Sequence, residues 1–279
     1  MADKDTRRRF ALTSMRTFSI HWGAVLVCFA LVVLFVYAGY VEPNRIEVTH
    51  TPIGQLQGEK AIVIAQISDL HLQEVGTLER SVLQRVQEIQ PDLLVLSGDV
   101  IDTPESLAQL DVFLTGLNAP LKIAVLGNWE YWSGVDLKRL EQLYKDHGVE
   151  LLVNASAQYT IKGRALAVHG VDDYTAGKPR INSIAGKPSE VSVLLQHSPG
   201  FFQEDLSLLV KFTLCMSGHT HGGQMTLFGW PVWTPRGSGE YVKGLYQTKT
   251  CPMYVSRGVG TSLLGFRVGA RPEIAVFTL

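Results

Sequence analysis

The sequence predicts an α/β protein built on two sheets that face each other, with helices on the outside. Three observations carry this. Five short apolar, β-branched runs (residues 61–67, 93–96, 121–126, 191–195 and 212–216) each end in a residue able to bind a metal. Up to Tyr144 such runs alternate with segments whose apolar residues fall at helical spacing, which argues for parallel strands joined by crossover helices. From Glu150 onward the texture changes to short strands and Gly-rich turns.

With 279 residues, 46% of them hydrophobic, the chain has enough apolar material for a sizeable core and contains no repeat or low-complexity tract. The formal net charge is −1, but residues 1–41 hold five basic and two acidic residues, leaving 20 basic and 24 acidic in residues 42–279. That mildly acidic body lacks the field of a nucleic-acid binder, so no nucleic-acid partner is expected. Three cysteines exclude a disulfide framework. Sequence alone does not decide whether Cys215 and Cys251 pair.

Taken in order, residues 1–19 form a basic segment in which Thr6-Arg7-Arg8-Arg9-Phe10-Ala11-Leu12 resembles a twin-arginine export signal. Residues 20–41 are read as a transmembrane anchor or signal, because residues 22–40 carry no charge and would span roughly 28 Å as a helix. Val36-Tyr37-Ala38 could serve as a cleavage site, but the apolar run is long for a cleaved peptide and an uncleaved anchor is preferred. The arginines precede the run, so the charge bias places residues 42–279 on the outer side of a bacterial inner membrane.

The soluble domain, residues 42–279, starts with an edge strand at residues 46–49. Leu78, Val82, Leu83, Val86 and Ile89 then mark a helix that Pro91 stops. Leu107, Leu110, Phe113, Leu114 and Leu117 mark a second helix, and Leu137, Leu140, Leu143 and Tyr144 a third. Residues 158–161 and 165–168 flank Lys162-Gly163-Arg164 as a hairpin.

The polar ends of the five strands carry the chemistry. They read Ser68-Asp69-Leu70-His71, Ser97-Gly98-Asp99-Val100-Ile101-Asp102, Gly127-Asn128-Trp129-Glu130, Gln196-His197 and Gly218-His219-Thr220-His221-Gly222-Gly223-Gln224. In α/β sheets the carboxyl ends of the strands form the rim where sites are built, so the five clusters can meet. Carboxylates and neutral imidazoles together suit divalent Mn, Fe or Zn.

This set resembles the calcineurin-like metallophosphoesterases, whose pattern is Asp-x-His, Gly-Asp-x-x-Asp, Gly-Asn-His-Asp/Glu, a lone His and Gly-His-x-His. The Gly-His-Thr-His-Gly-Gly-Gln run, the anchored N-terminus and Ser256-Arg257-Gly258-Val259-Gly260-Thr261 look like the bacterial membrane-anchored phosphodiesterase branch, which includes UDP-2,3-diacylglucosamine hydrolase-like members. The resemblance implies a four-layer αββα sandwich of two mixed sheets and two divalent metal ions. It assigns Asp69, His71 and His221 to one ion, Asn128, His197 and His219 to the other, and Asp99 as the bridge. A water between two such ions becomes hydroxide near neutral pH and can attack phosphorus in line. Asp102 reads either as a partner that orients a histidine or, slightly preferred, as a helix cap ahead of Pro104.

Trp129 departs from the pattern. It stands where the family has the histidine that helps protonate the leaving group, and indole carries no such proton. Three readings follow: a substrate with a good leaving group, a replacement acid such as Glu130 or His169, or a catalytically weak metal-binding protein at the membrane surface. Trp129, Tyr131, Trp132, Phe228, Trp230 and Trp233 gather near the motifs and read as a rim for a bilayer or acyl chain, although Trp230 beside Pro231 reads rather as loop packing. Arg180, Arg236 and Arg257 are candidate phosphate contacts. The expectation is a phosphodiesterase acting on a phosphorylated small molecule or lipid at a membrane, with hydrolysis of UDP-2,3-diacylglucosamine as an alternative.

Overall fold

A computed structural model of the chain describes residues 23–54, 58, 60–181, 189–204 and 211–279. The basic segment and the twin-arginine-like run lie outside the described residues. Helix α1 (Gly23–Asn44) is long and apolar enough to cross a membrane, and only 6% of its most apolar window is buried. Its last turns widen to π geometry at Tyr37–Val41 and tighten at Glu42–Asn44. There it meets the domain. The Ala38 carbonyl accepts from Arg267 N at 2.9 Å, the Phe35 and Phe266 rings lie 5.0 Å apart, and the buried Glu42 carboxylate accepts from Ala270 N at 2.9 Å.

Strands β1 (Glu47–Pro52), β2 (Val63–Ile67), β3 (Leu93–Leu96), β4 (Leu121–Ala124) and β5 (Val149–Leu151) belong to the first sheet, with helices α2 (Thr77–Ile89), α3 (Leu107–Gly116) and α5 (Leu137–Asp146) between them. The short helix α4 (Asn128–Trp132) follows β4 directly. Each long helix stands where the apolar spacing predicts it. Glu79 accepts the Gly76 N–H at the start of α2, Gln90 ends that helix with φ 48° ahead of Pro91, and Asp136 caps α5 by accepting Lys138 N.

The later strands are β6 (Ala155–Ile161), β7 (Arg164–Gly170), β8 (Val191–Leu195), β9 (Leu214–Ser217), β12 (Gly244–Gln247), β13 (Pro252–Val255) and β14 (Glu273–Thr278), and a small hairpin pairs β10 (Thr226–Leu227) with β11 (Trp230–Pro231). The first sheet runs β1-β14-β2-β3-β4-β5 and the second β12-β13-β9-β8-β7-β6. In the first sheet β2 to β5 are parallel and β14 is antiparallel to β2, while in the second β7, β8, β9 and β13 are parallel with antiparallel strands at both edges. The β6–β7 turn is the expected hairpin, with Lys162 and Gly163 both at positive φ.

Strand parity builds the layers, because successive side chains point to opposite faces. Leu93 and Val95 of β3 face the second sheet and share a core with Val168, Val193, Leu195 and Met216, whereas Leu94 and Leu96 face helix residues Val86, Leu110, Phe113 and Leu140. The outer face of the second sheet packs Leu194, Cys215 and Met253 under Phe201, Phe202 and Phe212. The two mixed sheets of the expected αββα sandwich lie face to face, and the long helices α2, α3 and α5 cover the first. On the outer face of the second, the described residues supply the 3-10 turn Pro199–Gln203 and loops. Cys215 and Cys251 form a disulfide there, a pairing that sequence left open.

Candidate metal centre

All five motif loops leave the carboxyl ends of β2, β3, β4, β8 and β9, which lie side by side or face to face. The polar strand ends are locked to one another before any ligand is considered. Gln66 of the first sheet donates to Ser97 Oγ (2.8 Å) and to the Ser217 carbonyl of the second (2.9 Å). The zipping continues past the strands, with Asp69 N on Gly98 O, His71 N on Asp99 O and Val259 N on Ser68 O.

Asp69, His71 and His221 present donor atoms within 4.8 Å of one another, and Asp99, His197 and His219 form a second such group. All six are buried. Asp99 lies between the groups, its Oδ2 3.1 Å from His197 Nε2 and 3.9 Å from His71 Nε2. Asn128 opens α4, lines the same cavity as Asp99, His219 and His221, and has a buried Oδ1 with no hydrogen-bond partner. His197 Nε2 is likewise buried, with the Asp99 carboxylate beside it, and the Nε2 atoms of His71 and His221 face each other at 3.1 Å. Buried polar atoms left in this state cost about 1–3 kcal/mol each unless something binds them.

Hydrogen bonds on the far nitrogens set the tautomers. His71 Nδ1 meets Asp102 Oδ1 at 2.5 Å, His197 Nδ1 meets the Ser97 carbonyl at 2.8 Å, and His219 Nε2 meets the Arg236 carbonyl at 2.8 Å. An imidazole that donates outward keeps a lone pair for the site on its other nitrogen. Burial opposes charging of His71, but its hydrogen bond to Asp102 and the charges of Asp99, Asp102 and Asp69 outweigh that and raise it above its ordinary value. Burial and then the charges of His71 and Arg267 hold His221 well below its ordinary value. For Asp99, the His197 charge and hydrogen bond overcome burial and hold the carboxyl at about 2. Two buried carboxylates among four imidazoles form a donor set suited to divalent borderline metals.

Several expectations need correction. Asp102 is no helix cap, since the 3-10 turn at Pro104–Ser106 is preceded by Thr103 and Asp102 turns back to His71. His169 cannot reach the site, because Leu166 and Val168 of β7 face the inter-sheet core and His169 takes the opposite face, against Phe212 and Ser156 Oγ. Glu130 is buried and accepts from Gly127 N (2.7 Å), Asp99 N (3.0 Å) and Val100 N (2.6 Å), which makes it a clamp on the Gly98–Asp99 turn. Burial and the Asp99 charge push its carboxyl up to about 7, while the N–H donors favour the anion.

Trp230 is 77% exposed and does not pack as loop filling. Of the three arginines, only Arg236 lines the cavity. Arg257 is held by Glu47 and Glu273, and Arg180 donates its backbone N–H to Asn154 away from the cavity. Sequence reading missed Arg267. It is fully buried, donates to the carbonyls of Arg257, Gly258, Gly260 and Ala270, and places Nη2 3.4 Å from His221 Nδ1. A bulky cation between two Gly-containing turns was the available signal.

The clamp has a test. Glu130→Gln leaves one acceptor oxygen for three backbone donors, so unfolding in denaturant should show a loss of about 2–3 kcal/mol. A variant with wild-type stability that loses activity only on alkyl esters would instead restore Glu130 as a proton donor.

Residues 62–223 match the family model described as calcineurin-like phosphoesterase. The chain is 35% identical over 256 residues to the uncharacterized metallophosphoesterase YkuE of Bacillus subtilis strain 168, covering 87% of this chain and 88% of that one. It is 26% identical over 277 residues to a Danio rerio transmembrane protein with metallophosphoesterase domain, covering 91% and 61%. Among solved structures, the Haemophilus influenzae NAD nucleotidase aligns with a TM-score of 0.48 at 14% identity over 71% of this chain and 45% of that one. With the model spanning more than half of its length, the chain belongs to the calcineurin-like phosphoesterase family of metal-dependent phosphoester hydrolases.

Proposed function

We propose that Asp69, His71 and His221 hold one divalent ion, Asn128, His197 and His219 a second, with Asp99 shared, and that the chain hydrolyses a phosphodiester or phosphoanhydride of a lipid- or nucleotide-linked substrate. The observation that supports this most is the buried, unpartnered Asn128 Oδ1 among donors that include His71 and His197, whose other nitrogens are already engaged. Bound ions supply Lewis acidity toward phosphoryl oxygens and acidify water. Hydrolysis forms one P–O bond from water and breaks another, and the leaving oxygen carries away a negative charge or takes a proton. The chain's own part is to orient the ester and to exclude water.

Trp129 shapes which ester is accepted. Its ring stands edge-on to His71 (centroids 5.7 Å apart) and lines the cavity beside Asp99 and Asn128. Indole N–H can orient a phosphate oxygen but cannot release a proton. With His169 on the other face and Glu130 held by backbone donors, the reading favours substrates whose leaving group needs little protonation, phosphoanhydrides among them.

The anchor is proposed to stay attached, with residues 42–279 on the outer side of a bacterial inner membrane. Ala38, in the candidate cleavage site, is buried against Arg267, and the Cys215–Cys251 bond suits an oxidising compartment. That topology weighs against UDP-2,3-diacylglucosamine, a cytoplasmic nucleotide sugar, although its anhydride bond suits Trp129.

Three outcomes test this reading. Elemental analysis of Asp99→Ala should find neither ion, whereas Asp102→Ala should keep both at saturating metal and bind one of them about 10–100-fold more weakly. Two ions tightly bound in Asp99→Ala would sink the shared-ligand assignment. Across a series of phosphodiesters, rates should fall steeply with leaving-group pKa, and Trp129→His should help the poor leaving groups most without changing metal content. A shallow wild-type slope would mean that another group donates the proton. Alkylation of denatured protein from acid-quenched cells should label Cys215 and Cys251 only after reduction. Free thiols at both positions would place the domain in the cytoplasm.

A further inference from the structure

The cavity above the converging donors has two unlike ends. Its floor is polar, with Asp99, Asn128, His219 and His221, while its walls are Trp129, Trp132, Val232, Trp233, Leu263 and Leu264 around a volume of about 370 Å³. Apart from Arg236, whose cation suits the phosphate end of a substrate, the wall's polar groups are largely spent on holding it together. Gln224 donates to the carbonyls of Ser262 and Leu264 and accepts Ser262 N, and Thr220 Oγ1 donates to Val242 O. A nucleoside needs hydrogen-bonding groups in its pocket; an acyl chain needs none.

The rim is more apolar still. Phe228 is 94% exposed, Leu263 79% and Trp230 77%. Phe228 sits at φ 52° in the two-residue turn between β10 and β11, a conformation normally left to Gly, Asn or Asp, so a bulky ring there is unfavourable both for the backbone and toward water. An exposed apolar patch around a cavity marks an interaction surface.

The anchor supplies the identity of what covers it. Leu263 and Leu264 run within three residues into Phe266, whose ring meets Phe35 and closes on Gly39 of α1. Three residues reach at most about 11 Å, so the cavity wall stands that close to the anchor. Phe35 lies five residues before the end of the uncharged run at Tyr40, about 7.5 Å along the helix, which sets the Phe266 loop at the depth of the membrane interface.

We infer that the cavity mouth rests on the bilayer, with Phe228, Trp230 and Leu263 inserted, and that the substrate is a membrane lipid bearing a phosphoanhydride, cleaved without leaving the membrane. The inference rests on the phosphoesterase reading above and narrows its substrate class. In the step, water oxygen bonds to the terminal phosphorus, the P–O–P bridge breaks, the lipid monophosphate leaves with the bridging oxygen, and one proton passes to solvent. Diacylglycerol headgroups joined by a simple ester would have an alkoxide as leaving group, which Trp129 cannot protonate.

The test uses the full chain in phosphatidylcholine proteoliposomes doped with diacylglycerol diphosphate, with a soluble aryl phosphodiester as the second substrate. The readout is the ratio of phosphate released from lipid to aryl ester hydrolysed by the same preparation. In Phe228→Ser/Trp230→Ser this ratio should fall at least tenfold; an unchanged ratio overturns the docking surface. Wild type that turns over the aryl ester but not the lipid overturns the substrate class and leaves the phosphoesterase reading standing. Hydrolysis of neither overturns both the phosphoesterase reading and the substrate class. Docking is then decided without turnover: in Trp22→Phe protein, brominated acyl chains should quench tryptophan emission, and less so once Trp230→Phe is added. Absence of that difference overturns it.

Discussion

Five of the seven converging donors, Asp69, His71, Asp99, His219 and His221, have left-handed backbone conformations, with φ between 47° and 71°. For residues with a Cβ each such conformation costs about 1–2 kcal/mol. The rest of the rim is arranged to hold them there. Asp69 N bonds the Gly98 carbonyl, His71 N the Asp99 carbonyl, Asp99 N the Glu130 carboxylate, and His219 N the Asp69 carboxylate at 2.9 and 3.0 Å. These turns aim side chains from two sheets at one point. Such closeness requires glycine. A Cβ on Gly218 would collide with Ser68 Oγ, and one on Gly127 with Asp99 Oδ1.

The charge arrangement follows from the same packing. Asp69 and Asp99 are buried within one cluster of imidazoles, and Asp102 extends the acidic influence onto His71 from outside it. Arg267 is the counterweight. Burial pulls its guanidinium down to about 10, with the Asp69 charge opposing, so it stays a cation at neutral pH. Its side chain spans the turns that carry Arg257 to Gly260, while its own N–H bonds Ala38 of α1. One residue therefore ties α1, two turns and the surroundings of His221 together.

Much of this was legible in the sequence because strands announce their ends. The β-branched runs gave β3 and β8 to the residue, and the motif after each run converged as the rim rule requires. What stayed hidden depended on contacts far apart in the chain. Asp102 and His71 are 31 residues apart, and the local view of Asp102 showed only a neighbouring Pro104. The five positive φ values fall on Asp and His, which adopt them more readily than most residues but too rarely for the sequence to announce them. His169 is different, since its exclusion was already available from parity. Leu166 and Val168 face the core, so an odd neighbour must face away.

Trp129 joins the two halves of the site. Toward the floor its backbone N–H donates to Asp99 Oδ1 at 2.7 Å, so its peptide is part of the scaffold that fixes the Asp99 carboxylate. Toward the mouth its indole packs on Trp132 and begins the apolar wall. A histidine at the same position would keep the first contact and add a proton donor, but would place an ionisable ring where the wall turns apolar. A wall of indole costs acid catalysis, typically worth about 10²–10⁴-fold, wherever the leaving alcohol is strongly basic. That cost disappears when the leaving group is itself a phosphate, and in that case the apolar surface is gained without a catalytic loss. Proton chemistry and wall polarity are set by one side chain, and both fit the lipid phosphoanhydride proposed above.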